Sequence, residues 1–367
     1  MSIASNDARF MTLALALGRR GLGRTWPNPA VGAVIVKDGV IVGRGWTQAG
    51  GRPHAEIEAL RRAGAAAQGA TMYVTLEPCS HHGKSPPCAD AVIAAGVSRV
   101  VSALEDPNSE VAGAGHARLR AAGIAVDIGV GAEQARHDHA GHIRRVRDGR
   151  PHVMLKLAIS ADGKVGKVGA AGRRPVAITG EAVRDRVHLL RAQSDAVMIG
   201  IGTALADDPM LTCRLPGMVK NSPVRIVLDG ALRLPLGSRL VQTARQTPVW
   251  VIAGPDARCA AEEALRGQGV EVLRAGGTGG LDLAAVLKLV AARGITRLMV
   301  EGGPTLVAAL LAADLIDEAI LFHSANSVGD DGLDAFDAAA LAAFGQRLKR
   351  VMTLSVGADR QETYQRS

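Results

Sequence analysis

The chain has 367 residues, 47% hydrophobic and 21% charged, which excludes a disordered, charge-rich polypeptide and makes two domains the first expectation. The formal net charge is +8, yet aromatic residues amount to only 2%, too few for the stacking platforms that read single-stranded nucleic acid. A basic surface without aromatics suits a phosphorylated small molecule better.

In chain order, residues 7–18 carry apolar residues at helical spacing and predict a helix ending near Gly18. VGAVIVKDGVIVGRG then reads as two strands joined by a Lys-Asp-Gly turn, and HAEIEALRRAG as a helix. TMYVTLE, RVVSALE and IAVDIGV read as strands, separated by the helical patterns PPCADAVIAAG and GHARLRAAG. The charged stretch RRVRDGRP at 144–151 marks a boundary, so domains are expected over 1–147 and 151–367. A second alternating series follows: strands at HVMLKLAIS, DAVMIGIG, VRIVLDG, VWVIAG, GVEVLRA, RLMVEGG and EAILFHS, with helical patterns at 180–193 and 281–293. Both halves are therefore α/β. No leader peptide opens the sequence and no apolar run reaches the length of a membrane span, so a cytoplasmic protein with reduced thiols and no membrane partner is expected.

Chemistry concentrates in PHAE (53–56) and PCSHHGKSPPC (78–88). Catalytic zinc takes three protein ligands and keeps one position for water, and His54, Cys79 and Cys88 supply such a set. Glu56 is the proton carrier beside them, provided that His54 sits at the start of its helix, because residues two apart otherwise diverge. Cys88 follows Pro86 and Pro87 at a helix start, where the dipole favours thiolate. H-x-E with a cysteine pair is the pattern of zinc deaminases, except that eight residues rather than two separate the cysteines here. The remaining cysteines, Cys213 and Cys259, are expected to be inert, partly buried thiols. His137, His139 and His142 in HDHAGH do not share one helical face, and solvated surface is expected for them.

In the second half, EGGPTL is a glycine turn between a strand and a helix whose N-terminus suits a phosphate. Thr203 and Asp207 are expected at the end of a buried strand, where ligands lie in open α/β sheets. Arg191 and Arg214 are candidates for a substrate phosphate.

These segments resemble the bifunctional riboflavin biosynthesis deaminase/reductase family: PNPAVGAVIVKDGVIVGRG, PHAEIEALRRAG, VTLEPCSHHGKSPPCADAVIAAG and DPNSEVAG for the deaminase, LKLAISADGKVG, HLLRAQSDAVMIGIGTALADDPMLTCR and VEGGPTL for the reductase. The long cysteine spacing belongs to that family. The resemblance implies a cytidine-deaminase-like α/β/α layered domain followed by a dihydrofolate-reductase-like α/β domain. It implies zinc-dependent deamination of a diaminopyrimidinone bearing a ribosylamino 5′-phosphate, then NADPH-dependent reduction of ribosyl to ribityl. Asn28, His81, Lys84 and Asn108 would touch the first substrate. Ala158, Thr203, Asp207, Gly303, Pro304, Thr305 and Leu306 would hold the cofactor, and Lys156, Arg191, Leu211, Arg214 and Glu301 the second substrate. A dimer or tetramer is implied as well. The chain departs from the family at Thr47, where many members carry histidine, at Ala177, where many carry tryptophan, at Gly230, where serine is expected, and through the C-terminal 45 residues. The competing reading, a nucleic-acid or nucleoside deaminase with a degenerate second domain, is disfavoured by the cysteine spacing and the scarcity of aromatics. A zinc-stabilised binding module would have no use for Glu56.

Overall fold

A computed structural model describes residues 3–81, 86–109, 111–167, 177–277 and 280–366, with side chains from residue 6 onward. The chain divides into two compact units, Met1–Gly149 and Arg150–Ser367.

The first unit runs α1 (Ile3–Gly18), β1 (Gly32–Lys37), β2 (Val40–Trp46), α2 (Ala55–Ala63), β3 (Thr71–Val74), α3 (Cys88–Ala94), β4 (Arg99–Ser102), α4 (Ala114–Ala121), β5 (Ala125–Ile128), α5 (Ala132–Asp138) and α6 (Ala140–Asp148). The strands form one sheet in the order β2-β1-β3-β4-β5, antiparallel at the hairpin and parallel from β3 to β5. The hairpin closes through Asp38 and Gly39, both at positive φ (51° and 79°), a two-residue turn whose twist matches the strands. Period-two alternation separates two apolar layers. Ala33, Ile35, Met72, Val74 and Val100 face α2 and α3, whereas Val34, Val36, Tyr73 and Val101 face Phe10, Met11, Ala14 and Leu15 of α1. Glycine permits the closest approach: a Cβ on Gly32 would lie 1.9 Å from the Ala14 carbonyl oxygen.

The second unit runs β6 (His152–Ile159), β7 (Lys164–Lys167), α7 (Glu181–Ala192), β8 (Ala196–Gly200), α8 (Ile201–Asp207), β9 (Val224–Leu228), α9 (Arg239–Gln242), β10 (Val249–Ala253), α10 (Cys259–Gly267), β11 (Glu271–Arg274), α11 (Leu283–Ala292), β12 (Arg297–Val300), α12 (Pro304–Ala312), β13 (Glu318–His323), β14 (Gly332–Asp334), α13 (Ala338–Arg347), β15 (Leu348–Val356) and β16 (Asp359–Arg366). Its main sheet is ordered β11-β10-β9-β8-β12-β6-β13-β16-β15, parallel as far as β13 and antiparallel thereafter. The parallel strands read as continuous Val/Ile/Leu runs because both faces are covered.

Within RRVRDGRP, α6 continues to Asp148 and then meets Gly149 at φ 64°. Three expectations need correction. His137 of HDHAGH is exposed as expected, but His139 is buried with Nε2 3.1 Å from the Thr75 hydroxyl, and both ring nitrogens of His142 are buried. Thr203 lies in the first turn of α8 and Asp207 at its end, not on the strand, because Gly200 turns the chain straight into a helix. Cys259 is exposed at the start of α10, while Cys213 is buried.

Candidate zinc and reductase sites

In the first unit two helix starts and one strand end converge. His54 is the N-cap of α2 with extended backbone (φ −69°, ψ 161°), so its ring and the Glu56 side chain in the first turn can serve one site. Cys79 lies beyond β3, and Cys88 opens α3 behind Pro87. The backbone locks the two thiols together: Cys88 N–H donates to Cys79 Sγ (3.3 Å) and Ala89 N–H to the Cys79 carbonyl (3.2 Å). His54 Nδ1 is 3.3 Å from Cys88 Sγ and 3.7 Å from Cys79 Sγ, and the three donor atoms lie within 4.8 Å of one another. The hydrogen bond from the Cys88 thiol, followed by that from His54, pulls Cys79 down to about 4 against its burial, whereas the same thiol contact and burial push Cys88 up. Two cysteine sulfurs and an imidazole nitrogen at one point make the donor set that zinc prefers. Glu56 is buried, and desolvation raises its pKa. Its Oε2 has no hydrogen-bond partner among the described residues, which leaves one carboxylate oxygen available to a water in the site.

Asn28 donates from Nδ2 to the Gly51 carbonyl (2.8 Å), tying it to the segment that leads into His54. Asn108 lies in a turn closed by its own N–H on Asp106 Oδ1 (2.9 Å). His81 is exposed, and Lys84 lies outside the described residues. The departure at Thr47 has a local account: its buried hydroxyl accepts Val31 N–H at 3.1 Å. It is occupied with backbone. The sequence reading overlooked Glu77, whose carboxylate is buried two residues before Cys79, where the motif E-P-C was a signal.

In the second unit Glu301 stands at the end of β12 as the acceptor of two cations. Arg191 Nε and Nη2 donate to Oε1 (2.6 Å) and Oε2 (3.0 Å), and Lys156 Nζ is 3.8 Å from Oε2. Burial works to raise the Glu301 carboxyl, but Arg191 and Lys156 outweigh it and hold it ionised; burial likewise lowers Lys156. Arg191 Nη1 also donates to the Thr212 carbonyl (3.2 Å), so its guanidinium is engaged on all three nitrogens. Arg214 is exposed on the same loop and, among the described residues, makes no ion pair with a carboxylate. Between them, Leu211 holds φ 53°, a conformation costly for a branched side chain and characteristic of functional loops.

Thr203 Oγ1 accepts Gly303 N–H at 3.2 Å, which joins the starts of α8 and α12. Pro304 is the first residue of α12, and Thr305 follows in its first turn. Leu306 packs its side chain on Gly302 and is buried, so it contributes backbone alone to any ligand. Two helix N-termini meeting at a glycine turn fit the pyrophosphate of a dinucleotide. Burial raises Asp207, and Ala158 lies on β6 opposite Phe322. Ala177 is exposed. A side chain at Gly230 would meet only Leu281, at 3.9 Å, so the absence of serine there is not imposed by packing.

Residues 151–360 match the family described as the RibD C-terminal domain, and residues 4–104 the cytidine and deoxycytidylate deaminase zinc-binding region. The chain is 44% identical to riboflavin biosynthesis protein RibD of Escherichia coli over 89% of each sequence, and 41% identical to that of Aquifex aeolicus over 88% of each. It is similar in structure to Acinetobacter baumannii RibD (TM-score 0.87, 36% identity, 99% of each chain). A Thermotoga maritima diaminohydroxyphosphoribosylaminopyrimidine deaminase/5-amino-6-(5-phosphoribosylamino)uracil reductase is also similar (TM-score 0.84, 33% identity, 100% of each chain).

Proposed function

The chain belongs to the RibD family of riboflavin biosynthesis proteins and is a bifunctional enzyme, a zinc deaminase joined to an NADPH-dependent reductase, and from that premise we propose its substrates and the role of each site residue. The first substrate is 2,5-diamino-6-ribosylamino-4(3H)-pyrimidinone 5′-phosphate. Water replaces its ring amine, which leaves as ammonia. The observation that carries this reading is the His54, Cys79, Cys88 donor set with the buried, half-unpartnered Glu56 carboxylate beside it. Zinc held there supplies the Lewis acidity that makes water a nucleophile near neutral pH. Glu56 takes a proton from the attacking water and delivers it to the departing nitrogen, a task for which its buried carboxylate beside the donor set is placed. Asn28, His81, Lys84 and Asn108 hold the ring and phosphate.

The deaminated product is then reduced from ribosyl to ribityl, with the nicotinamide supplying the hydride. Thr203, Asp207, Ala158 and the segment Gly303, Pro304, Thr305, Leu306 position the cofactor. Glu301 fixes Lys156 and Arg191 toward the sugar, and Arg214 with the Leu211 backbone takes the phosphate, because Arg214 is exposed and, among the described residues, forms no ion pair with a carboxylate. A coupled assay tests the order of steps: NADPH oxidation should begin only after ammonia release, with one NADPH consumed per ammonia. Oxidation that precedes ammonia release sinks the assignment.

We further propose a cytoplasmic homodimer. Among the described residues no helix is long and apolar enough to cross a membrane. β15 is the edge of the large sheet and exposes Val351, Met352 and Leu354, an arrangement that invites pairing with a second copy. Light scattering after size exclusion should report twice the chain mass, and Leu354→Lys should shift it toward monomer. A monomeric wild-type protein overturns this proposal.

A further inference from the structure

Glu77 has no part in the chemistry above, yet it is among the most heavily hydrogen-bonded side chains of the first unit. Its Oε2 accepts the N–H groups of Asp106 (2.9 Å) and Gly113 (3.0 Å), and its Oε1 those of Gly115 (2.7 Å) and His116 (3.2 Å). No side chain of its own caps α4, whose N-cap is Gly113, so Glu77 performs that service from the zinc-ligand segment. The two segments touch closely. A Cβ on Gly115 would lie 2.1 Å from the Pro78 carbonyl oxygen, and Arg118 Nη1 donates to the Ser80 carbonyl (3.3 Å). Glu77, Glu105 and His116 could by proximity form a second metal site, but each oxygen of Glu77 already accepts two N–H groups. The carboxylate is a clamp.

We propose that Glu77 is a positioning residue of the deaminase: it sets residues 105–109 and 111–113, and with them Asn108, in register with the segment carrying Cys79. This rests on the reading of Asn108 as a substrate contact. The chain geometry explains why a carboxylate is required. Four donors converge on it, and an ionised carboxylate accepts at both oxygens, whereas an amide would turn its NH₂ toward two of the four N–H groups. The loop would then swing away from the ligands, and misplacement of a substrate-holding group by about 1 Å costs on the order of 100-fold in kcat/KM, here through weaker substrate binding.

The experiment uses the full-length zinc enzyme and three variants, Glu77→Gln, Gly115→Ala and Asn108→Ala. Glu77→Gln should keep about one zinc per chain and unaltered NADPH-dependent reduction of the deaminated intermediate. Its deaminase KM should rise about 10- to 100-fold, with kcat changing much less. Gly115→Ala, whose Cβ would lie 2.1 Å from the Pro78 carbonyl oxygen and 3.0 Å from Glu77 Oε1, forces the start of α4 away from the Glu77–Pro78 segment while leaving the carboxylate chemically intact, and should raise KM in the same way. A wild-type KM in both variants overturns the proposal, as does loss of zinc in Glu77→Gln accompanied by a wild-type KM in Gly115→Ala, since Glu77 would then support the ligands alone. A wild-type KM in Asn108→Ala, with KM still raised in Glu77→Gln, removes Asn108 from the substrate and leaves the clamp standing.

Discussion

Glu56→Gln should release no measurable ammonia while still binding about one zinc per chain. The substitution is nearly isosteric and adds no bulk to the buried first turn of α2, so the three ligands stay in place. What it removes is the ability to accept a proton from water and return it to nitrogen. General acid–base groups contribute on the order of 100- to 10,000-fold, and here the same carboxylate acts in both directions, so the loss should lie at the upper end. Metal analysis by mass spectrometry together with an ammonia assay checks both parts. NADPH oxidation with the deaminated intermediate supplied should be untouched. Retained deamination would show that another group carries the proton; loss of zinc would show that Glu56 shapes the metal site.

The second large effect is expected at Glu301. Replacing it by alanine leaves Lys156 and Arg191 facing each other in a buried space with no anion between them. Removing one partner of a buried ion pair costs about 3–5 kcal/mol, far more than the pair contributes over an apolar replacement, because the remaining charge has lost its water without compensation. Glu301→Ala should therefore lower the unfolding temperature of the second unit and reduce reductase kcat/KM by about 100-fold or more, since Arg191 and Lys156 lose the group that orients them. Ammonia release should persist. Calorimetry and separate assays of the two activities decide the matter: a variant as stable and as active in reduction as the parent refutes the role given to this carboxylate.

The pairing at Glu301 also shows why charge in a sequence is ambiguous. Arg191 reads as a phosphate ligand from its residue type, but three of its nitrogens are already engaged by Glu301 and the Thr212 carbonyl. Arg214, identical in type and near in sequence, has no such partner among the described residues. Which guanidinium stays free depends on a contact across 110 positions between α7 and the end of β12. His139 tells the same story, because helical spacing alone cannot reveal that the junction of α5 and α6 presses it onto Thr75.

The local features were legible because they depend on local chemistry. The Asp38-Gly39 turn, the strands with alternating or continuous apolar residues and the helix starts at His54 and Pro87 all follow from backbone preference and burial within a few residues. The zinc set was legible too, since imidazole, two thiols and a carboxylate at strand and helix ends have few other uses together. By itself the sequence determined the two α/β units and the kind of chemistry in each. Tertiary structure alone decided which polar groups are spent on holding the fold and which remain for a substrate: Glu77 on four backbone N–H groups, Thr47 on Val31, Arg191 on Glu301. The reason is physical. A buried polar group must find its hydrogen-bond partner somewhere, and that partner is chosen by the packing of distant segments, not by neighbours in the chain.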